Sequence, residues 1–407
     1  MVGYRHKVAM KTYQLINGIP VWGEPLANAV AQIQNCVRVG AARAALCADH
    51  HLGYSVPIGG VLAYEEEISP SAVGYDIACG NKAVRLDMPI EEVRPRIGSI
   101  MDDIWRSLSF GVGRKNKDET IDHPLFYDDP AWGLPLTAVL KDMARAQLGT
   151  LGAGNHHFCV LYDENGAVWL ANHFGSRGLG HKLATYFIKA GGGTDGINVD
   201  PVVFGVDTPI GADYLACMAL AGRYAYAGRD WTISKVASLL GARVVEEVHN
   251  HHNFGWDEIH EGRALWVVRK GATPAFPGQR GFVGASMGER SVIIEGVDSP
   301  ESQLGLYSAP HGAGRAMSRT EAAGKIRWKK GVKTRLSEGK VSEAMMRDWV
   351  TKAEVELRGG GVDESPHCYK RLTDVLAAHS NTLKIVHTLT PVGVAMAGNE
   401  DYDPFKD

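Results

Sequence analysis

The sequence lacks the features that mark membrane-bound and disulfide-stabilised proteins. It contains no apolar run near the roughly 18 residues that a membrane helix needs, and no apolar core follows the basic start at 1–7. We therefore expect neither a membrane span nor a secretory signal. Its six cysteines are irregularly spaced and include no C-x-x-C pair, which argues against a zinc ribbon and a disulfide framework. These absences predict a reducing, cytoplasmic environment.

An excess of positive charge is missing as well. The 407 residues include 43 Lys and Arg against 46 Asp and Glu, so a uniformly basic surface that coats nucleic acid is excluded, although a local basic groove remains open. This length allows two or three domains of about 150 residues or one large α/β unit. Because no Pro/Ser linker divides the chain, we predict a single domain over 1–407, with a mobile basic surface segment at 327–340.

Hydrophobic periodicity indicates both helices and strands. Amphipathic stretches predict helices at 28–45, 182–190, 214–240 and 343–357. Apolar runs predict strands at 56–63, 82–88, 264–268 and 292–296. A polar turn is expected at 48–54, between the first helix and the first strand. The mixture predicts a mixed α/β (α+β) fold with mixed sheets and surrounding helices.

A predicted hairpin brings two histidines together. The segments 156–162 and 167–173 have the form of two strands, and a four-residue loop at 163–166 places His156 directly opposite His173, with Cβ atoms about 5 Å apart. A tighter Asn-Gly turn shifts the partner by two residues and keeps both imidazoles on one face. Either register makes the pair a candidate to share one ion; two edge histidines that only solvate a hairpin base are the alternative.

Further ligand types lie in two other segments. Asp76 and Cys79 are three residues apart in a glycine-bounded turn and can converge as a carboxylate and a thiolate, although an Asp in a turn is usually a backbone cap. A third histidine comes from the run at 249–253, which can equally be exposed to solvent. The thiolate and imidazole favour zinc, and the carboxylate leaves room for manganese.

Glycine is abundant, with 48 residues, and one glycine turn carries reactive groups. In Pro310-His311-Gly312-Ala313-Gly314-Arg315, glycines allow main-chain N–H groups to approach phosphate oxygens, and the arginine offers a planar fork to a phosphoryl group. The segment thus has the parts of a phosphate-binding turn with a nucleophile at its lip; a plain tight turn with a surface histidine is the alternative. A Walker A sequence is absent.

Taken in order, these motifs resemble the RtcB family of RNA-splicing ligases. The matching segments are Asp49-His50-His51-Leu52-Gly53, Pro57-Ile58-Gly59-Gly60, Gly74-Tyr75-Asp76-Ile77-Ala78-Cys79-Gly80, Leu151-Gly152-Ala153-Gly154-Asn155-His156, Gly175-Ser176-Arg177-Gly178, His252-Asn253, Arg269-Lys270-Gly271-Ala272, Ser286-Met287-Gly288 and His311-Gly312-Ala313-Gly314-Arg315. The resemblance implies a single-domain ligase with one or two Mn²⁺ ions per site. It also implies GTP-dependent joining of RNA 2′,3′-cyclic phosphate or 3′-phosphate ends to 5′-hydroxyl ends.

The resemblance also assigns roles to matching positions. The implied metal ligands are Asp76, Cys79, His156, His173 and His252. The implied nucleotide contacts are Asn155, His252, Asn253, Gly284, Ala285, Ser286, Met287, Ser291, His311, Gly312, Ala313, Gly314 and Tyr369. The implied catalytic residues are His311, which becomes guanylylated, and the phosphate-handling cations Arg177, Lys270 and Arg315.

Two departures from the family pattern spare the implied metal ligands and nucleophile, and the second of them affects nucleotide recognition. Cys159 stands where the family commonly has Glu, and Ala395-Met396-Ala397-Gly398 replaces the usual C-terminal Lys-Gly, a contact to guanine. An acidic tail follows to Asp407, with Lys406 as its one lysine. A divergent member that binds RNA ends, or that acts on them as a metal-dependent phosphatase without ligation, is the alternative function.

Overall fold

The structure, a computed structural model, describes residues 12–117, 121–329 and 332–398. Its strands are β1 Tyr13–Ile16, β2 Ile19–Trp22, β3 Arg43–His51, β4 Ile58–Tyr64, β5 Glu67–Ile68, β6 Gly80–Pro89, β7 His157–Tyr162, β8 Ala167–Phe174, β9 Phe204–Gly205, β10 Val244–His251, β11 Asn253–His260, β12 Arg263–Lys270, β13 Ala272–Pro274, β14 Arg280–Val283, β15 Ser291–Gly296, β16 Ser308–Pro310, β17 Ile326–Lys329, β18 Val332–Arg335, β19 Glu356–Gly360 and β20 Leu383–Gly398. The helices are α1 Ala27–Val39, α2 Pro70–Val73, α3 Ile90–Val93, α4 Ile97–Ser107, α5 Leu125–Asp128, α6 Pro135–Ala138, α7 Lys141–Gln147, α8 Arg177–Ala190, α9 Pro209–Leu240, α10 Pro300–Leu304, α11 Arg319–Ala323, α12 Glu343–Lys352 and α13 Leu372–Ala378.

Two large sheets carry the molecule and confirm the predicted mixed fold. One has six strands in the order β1-β2-β3-β4-β12-β11. The other has the order β10-β6-β8-β7-β20-β15-β14, with β19 pairing in parallel with β20. Each sheet contains one parallel pair, β2–β3 in the first and β19–β20 in the second. The other neighbouring strands in both sheets are antiparallel.

The 32-residue helix α9 joins the two halves of the core. It begins with Thr208 as N-cap and Pro209 at its first position, and it ends at Gly241 in the left-handed conformation, each a favoured terminal residue. Its first half packs in the core around the six-stranded sheet, with Tyr214 among the buried residues. Its last turns pack with α4 under the eight-stranded sheet. The middle of α9 therefore lies between the two cores.

Strand ends place four of the implied ligands along one end of the eight-stranded sheet. In the order β10-β6-β8-β7 the strands are antiparallel, so the C-terminal ends of β10 and β8 lie beside the N-terminal ends of β6 and β7. Cys79 precedes β6, His156 precedes β7, His173 is the next-to-last residue of β8, and His252 follows β10. Topology alone thus collects these side chains.

The predicted helix at 28–45 was wrong in its last third. Helix α1 ends at Val39 and is capped by Gly40, whose φ is +148°, and β3 begins at Arg43. The alanines that suggest a helix at 44–48 are buried in β3, because small side chains fit where a sheet is covered on both faces. The predicted turn at 48–54 is therefore mostly strand, which ends at His51.

The predicted helix at 343–357 was also too long. Helix α12 ends at Lys352, Glu354 adopts a φ of +55°, and the chain enters β19 at Glu356. The predicted basic segment at 327–340 contains the β17–β18 hairpin, while residues 330 and 331 lie outside the described residues. The basic start at 1–7 and the tail from 399 to 407 also lie outside them. Across the described ranges, every helix is too short or too polar to cross a bilayer.

Candidate metal centre and active site

The five implied metal ligands converge into two overlapping groups that share one thiol. Cys79 Sγ lies 3.5 Å from His173 Nε2 and 3.6 Å from His156 Nε2. His156 Nε2 is also 2.9 Å from Asp76 Oδ2. One group is Cys79, His173 and His252, and the other is Asp76, Cys79 and His156; within each, the ligand atoms lie within 4.8 Å of one another. The arrangement suits one or two divalent cations.

Burial and hydrogen bonding prepare these groups for a cation. Burial holds the pKa values of His173 and His252 well below the ordinary value, which keeps both imidazoles neutral. His252 Nδ1 is buried and has no hydrogen-bond partner among the described residues. Asn81 accepts a hydrogen bond from His173 Nδ1 at 2.8 Å and so directs the Nε2 lone pair toward Cys79. Burial and the Asp76 carboxylate raise the pKa of the Cys79 thiol, which a cation would deprotonate.

Arg177 lies at the rim of this cluster. Its guanidinium is 3.0 Å from His156 Nδ1, and its φ is +57°, an uncommon backbone conformation for a non-glycine residue. A Cβ at Gly152 would collide with this guanidinium, so the glycine turn makes room for it. Although burial alone raises the pKa of Asp76, His156 and Arg177 outweigh it and hold that pKa below the ordinary value. The positively charged guanidinium of Arg177 therefore contacts the cluster, as its implied phosphate-handling role requires.

His311 follows β16, which pairs with β13 in a separate two-stranded sheet, and reaches the same cluster from there. Its ring centroid lies 4.8 Å from that of His252, and its Nδ1 is 2.7 Å from Asp49 Oδ2. The same oxygen accepts the main-chain N–H groups of His311 at 3.0 Å and Gly312 at 3.4 Å. Burial raises the pKa of Asp49, but His311 and Lys370 outweigh it and keep it below the ordinary value. With Nδ1 protonated toward this carboxylate, Nε2 of His311 carries the lone pair.

The turn after His311 can form only because glycines there have no side chain. Gly314 has a φ of +73°, and a Cβ there would collide with the main-chain carbonyl of Asp49. Gly312 pairs with Gly284 through an isolated bridge, which brings the 284–287 segment beside the turn. That segment is held by Ser291, whose hydroxyl accepts from the N–H of Ala285 at 3.0 Å. The structure therefore unites the implied nucleotide contacts at 284–291 with those at 311–314.

Tyr369 and Arg315 form a half-buried polar pair next to this turn. Arg315 and Tyr369 pair by an isolated bridge, and the guanidinium lies 5.1 Å from the ring centroid. Both side chains bond to Glu364, which is only 4% exposed, and Arg315 also donates to the carbonyl of Asp363 at 2.7 Å. Arg315 therefore uses its donors on the protein itself.

Two other implied site residues also bond within the protein. Lys270 donates to the carbonyl of Tyr54 at 2.7 Å, and burial lowers its pKa to about 8. Asn253 donates to the carbonyl of Asp76 at 3.2 Å and accepts from the N–H of Gly271 at 2.7 Å. Gly271 in turn lies against His311, since a Cβ there would be 3.1 Å from Cε1 of that ring. Asn253 thus ties the metal cluster to the wall of the His311 site.

Comparison with protein families shows to which family this chain is related. The model of the family described as tRNA-splicing ligase RtcB matches residues 27–129 and 135–397. The chain belongs to the RtcB family. The RNA-splicing ligase RtcB of Escherichia coli K12 is 31% identical over 378 residues, covering 86% of this chain and 88% of that protein.

Two further relatives extend this similarity across RtcB proteins. The tRNA-splicing ligase RtcB of Aeropyrum pernix is 30% identical, covering 85% of this chain and 86% of its own length. The RNA-splicing ligase RtcB of Mycobacterium bovis is 30% identical, covering 85% of this chain and 94% of its own length. These comparisons confirm the family that the sequence motifs resembled.

The predicted register of the histidine hairpin in this RtcB chain was wrong by one residue. His157, rather than His156, lies opposite His173, and the two rings stack with centroids 5.3 Å apart. His156 still reaches Cys79 because it precedes β7, in the turn after Gly154, where strand alternation does not restrict its direction. The two histidines that approach the thiol are therefore those of the prediction, by a different backbone route.

Sequence reasoning missed several partners of the site residues. Asp49 was noted in a motif, yet its pairing with His311, 262 residues away, leaves no local signal in one sequence. Asn81 and Glu364 also act through long-range contacts, to residues 92 and 49 positions away. Arg319 could have been predicted most easily, because it is a second arginine close after the same glycine turn, four residues beyond Arg315. A Cβ at Gly154 would be 2.6 Å from its guanidinium.

Proposed function

We propose that this RtcB-family chain is an RNA ligase that joins 2′,3′-cyclic phosphate or 3′-phosphate ends to 5′-hydroxyl ends, with GTP as co-substrate and Mn²⁺ as the metal. The observation that supports this most directly is the placement of His311 beside His252, with Nδ1 bound to a buried carboxylate. The names of the relatives, RNA-splicing ligase and tRNA-splicing ligase, support RNA as the substrate.

In this proposal the cation is held by the two groups that share Cys79. The donor set fits: one thiol, one carboxylate and three imidazoles, with a buried His252 nitrogen that otherwise has no partner among the described residues. When bound, the metal supplies Lewis-acid neutralisation of phosphoryl oxygens. Manganese accepts the carboxylate and imidazole ligands readily, while the thiolate would also suit zinc.

Attack on GTP is the task of His311. Its Nε2 forms a bond to the α-phosphorus while pyrophosphate leaves with the electrons of the broken P–O bond. The imidazole gains positive charge during this step, and Asp49 stabilises that charge through the Nδ1–H hydrogen bond. The carboxylate also prevents the ring from turning its protonated nitrogen toward the substrate.

In this proposal, cationic side chains around the nucleophile bind the phosphates. Arg177 is the proposed cation nearest to the metal cluster. Phosphate contact by Lys270 and Arg315 requires the substrate to replace their present protein acceptors, Tyr54 and Glu364 among them. Tyr369, half-buried beside Arg315, offers an aromatic face to the base.

RNA joining then proceeds in three further steps. Water opens a cyclic phosphate to a 3′-phosphate, whose oxygen attacks the phosphorus on His311 and releases the imidazole. The GMP now attached makes the 3′-phosphate an electrophile with a good leaving group. The 5′-hydroxyl of the second RNA loses its proton, attacks the 3′-phosphate and displaces GMP, which completes the phosphodiester.

The test is a guanylylation assay with α-labelled GTP and Mn²⁺. We expect wild-type protein to form an acid-sensitive phosphoramidate, which His311→Ala loses while keeping its metal content and melting temperature. His387→Ala, at a histidine on β20 bound to Glu164, is the matched control and should retain the adduct. Guanylylation of His311→Ala would contradict the nucleophile. Wild-type protein that forms no adduct but removes 3′-phosphates from RNA would favour the phosphatase alternative.

A further inference from the structure

Behind the metal cluster, α9 directs one fully buried arginine toward the ends of the ligand-bearing strands. Arg229 lies in the middle of α9, where the helix passes from one core to the other, and its side chain has no exposed surface. A guanidinium carries five N–H donors and no acceptor, so each of its partners must accept. The identity of those partners indicates what the side chain does.

Two of the acceptors are main-chain carbonyls that adjoin metal ligands. Nη1 donates to the carbonyl of Ala78 at 3.0 Å and to that of Phe174 at 2.7 Å. Ala78 immediately precedes Cys79 and has a φ of +60°, and Phe174 immediately follows His173. One nitrogen thus connects the turn that presents the thiol to the strand end that presents an imidazole.

The other two acceptors are imidazoles on β10. Nε donates to His249 Nε2 at 2.9 Å, and Nη2 donates to His251 Nδ1 at 2.9 Å. Because Arg229 can only donate, the accepting nitrogen in each ring must be unprotonated, which determines both tautomers. Tyr226, one turn earlier on α9, has its ring centroid 4.1 Å from those of both histidines. His251 immediately precedes His252, so this contact holds the third ligand-bearing segment.

We propose that Arg229 is a positioning residue of the metal centre, whose guanidinium holds the segments carrying Cys79, His173 and His252 at the spacing that a cation requires. The inference rests on the proposed function only in taking this cluster as the metal site. Methionine has a similar apolar volume, but it leaves the four acceptors of the guanidinium without a donor. What methionine at this position could not supply is four directed hydrogen bonds to three different segments.

The experiment is a titration of the full chain with Co²⁺, whose bond to a thiolate gives a charge-transfer band in the near ultraviolet. We expect the band in wild-type protein and its loss in Cys79→Ser. Arg229→Lys keeps the charge but cannot reach all four acceptors, and Arg229→Met keeps only the volume. Both should bind Co²⁺ about 10- to 100-fold more weakly, with an altered band, the range typical when a residue supporting metal ligands is lost.

Arg223→Met is the matched control, because Arg223 lies on the same helix, is exposed and pairs with Asp129. It should bind Co²⁺ as wild-type protein does. Native affinity and an unaltered band in Arg229→Met would overturn the positioning role. Weaker binding with an altered band, measured at a temperature where the metal-free variant is fully folded, would support it, because a purely structural role would lower the melting temperature and leave the Co²⁺ affinity of the folded protein unchanged.

If Arg229→Met does not fold, His251→Phe tests the same connection. It preserves packing against Tyr226 and Phe254 while removing one acceptor of the guanidinium. We expect a smaller loss of Co²⁺ affinity, and unchanged affinity would overturn the proposal. Wild-type protein that gives no thiolate band, or a band that survives in Cys79→Ser, would instead contradict the proposed metal site itself.

Discussion

Substitution of Asp49 by asparagine tests the proposed activation of the nucleophile. Asp49 has no exposed surface, and its Oδ2 accepts from Nδ1 and the main-chain N–H of His311 and from Gly312. Asparagine has the same shape and can keep an oxygen at this position. Asp49→Asn therefore removes the charge and leaves the hydrogen-bonding geometry in place.

The expected effect follows from the difference between charged and neutral hydrogen bonds. A bond to a charged group contributes roughly 1.5–3 kcal/mol and a neutral one roughly 0.5–1.5 kcal/mol. The difference of about 1–2 kcal/mol develops fully when the imidazole of His311 becomes positive, so guanylylation should slow by about 5- to 30-fold. Asp49→Ala also leaves three buried N–H groups without their acceptor, so its loss of rate should be larger.

Single-turnover formation of the labelled GMP adduct is the appropriate assay, since it isolates the step at His311. Asp163→Asn is a matched control: Asp163 is also a buried carboxylate, and it accepts main-chain N–H groups of Asn165 and Ala167 far from the nucleophile. It should leave the rate unchanged. A wild-type rate in Asp49→Asn, with native metal content, would refute the reasoning.

Three further predictions concern the metal, the nucleotide and stability. Cys79→Ser, His156→Ala and His173→Ala should each lower bound metal in elemental analysis, because serine is a poor ligand and alanine none; unchanged stoichiometry in all three would contradict the shared site. GTP should be preferred over ATP by a smaller margin than in typical family members, as measured by competition in the adduct assay, because Met396 and Ala397 stand where the resemblance implies a guanine-contacting lysine and neither side chain can donate a hydrogen bond. Glu258→Gln should reduce the free energy of unfolding at pH 7 by about 3–5 kcal/mol, because it leaves the fully buried Arg269 without its carboxylate partner. Although burial raises the pKa of Glu258, Arg269 and His260 hold that pKa below the ordinary value. The extra stability of wild-type protein over Glu258→Gln should therefore be present at pH values above the ordinary pKa of Glu and disappear as acid protonates the carboxylate. A difference in the free energy of unfolding that is equal at every pH in urea titrations would contradict this.

The sequence predicted the site best where the functional residues are close together in the chain. The turn containing Asp76 and Cys79 and the glycine turn after His311 can be identified from residue types alone, and the structure brings both to one cluster. Long-range pairs carry no such local signal. The contact of His311 with Asp49, and that of Arg229 with three separate segments, depend on how two sheets and α9 meet.

Errors in secondary structure arose where tertiary burial outweighed local propensity. Alanine favours helices in isolation, so the alanines at 44–48 suggested that α1 continues through them. Buried between layers, the same small residues let β3 pair with β4 and bring Asp49 beneath His311. Propensity therefore failed at the strand that carries a residue of the candidate active site.

The hairpin between β7 and β8 shows how a wrong register can still lead to the right residues. The N–H of Asp163 bonds to the carbonyl of Ala167, so the loop holds three residues, ending with Gly166 at a φ of +79°. The prediction considered loops of four and two residues, and both have the wrong parity for this pairing. A one-residue slip ordinarily moves a side chain to the opposite face of a sheet. His156 escapes this consequence because it lies before the first paired residue, where the turn through Gly154 directs its ring toward Cys79.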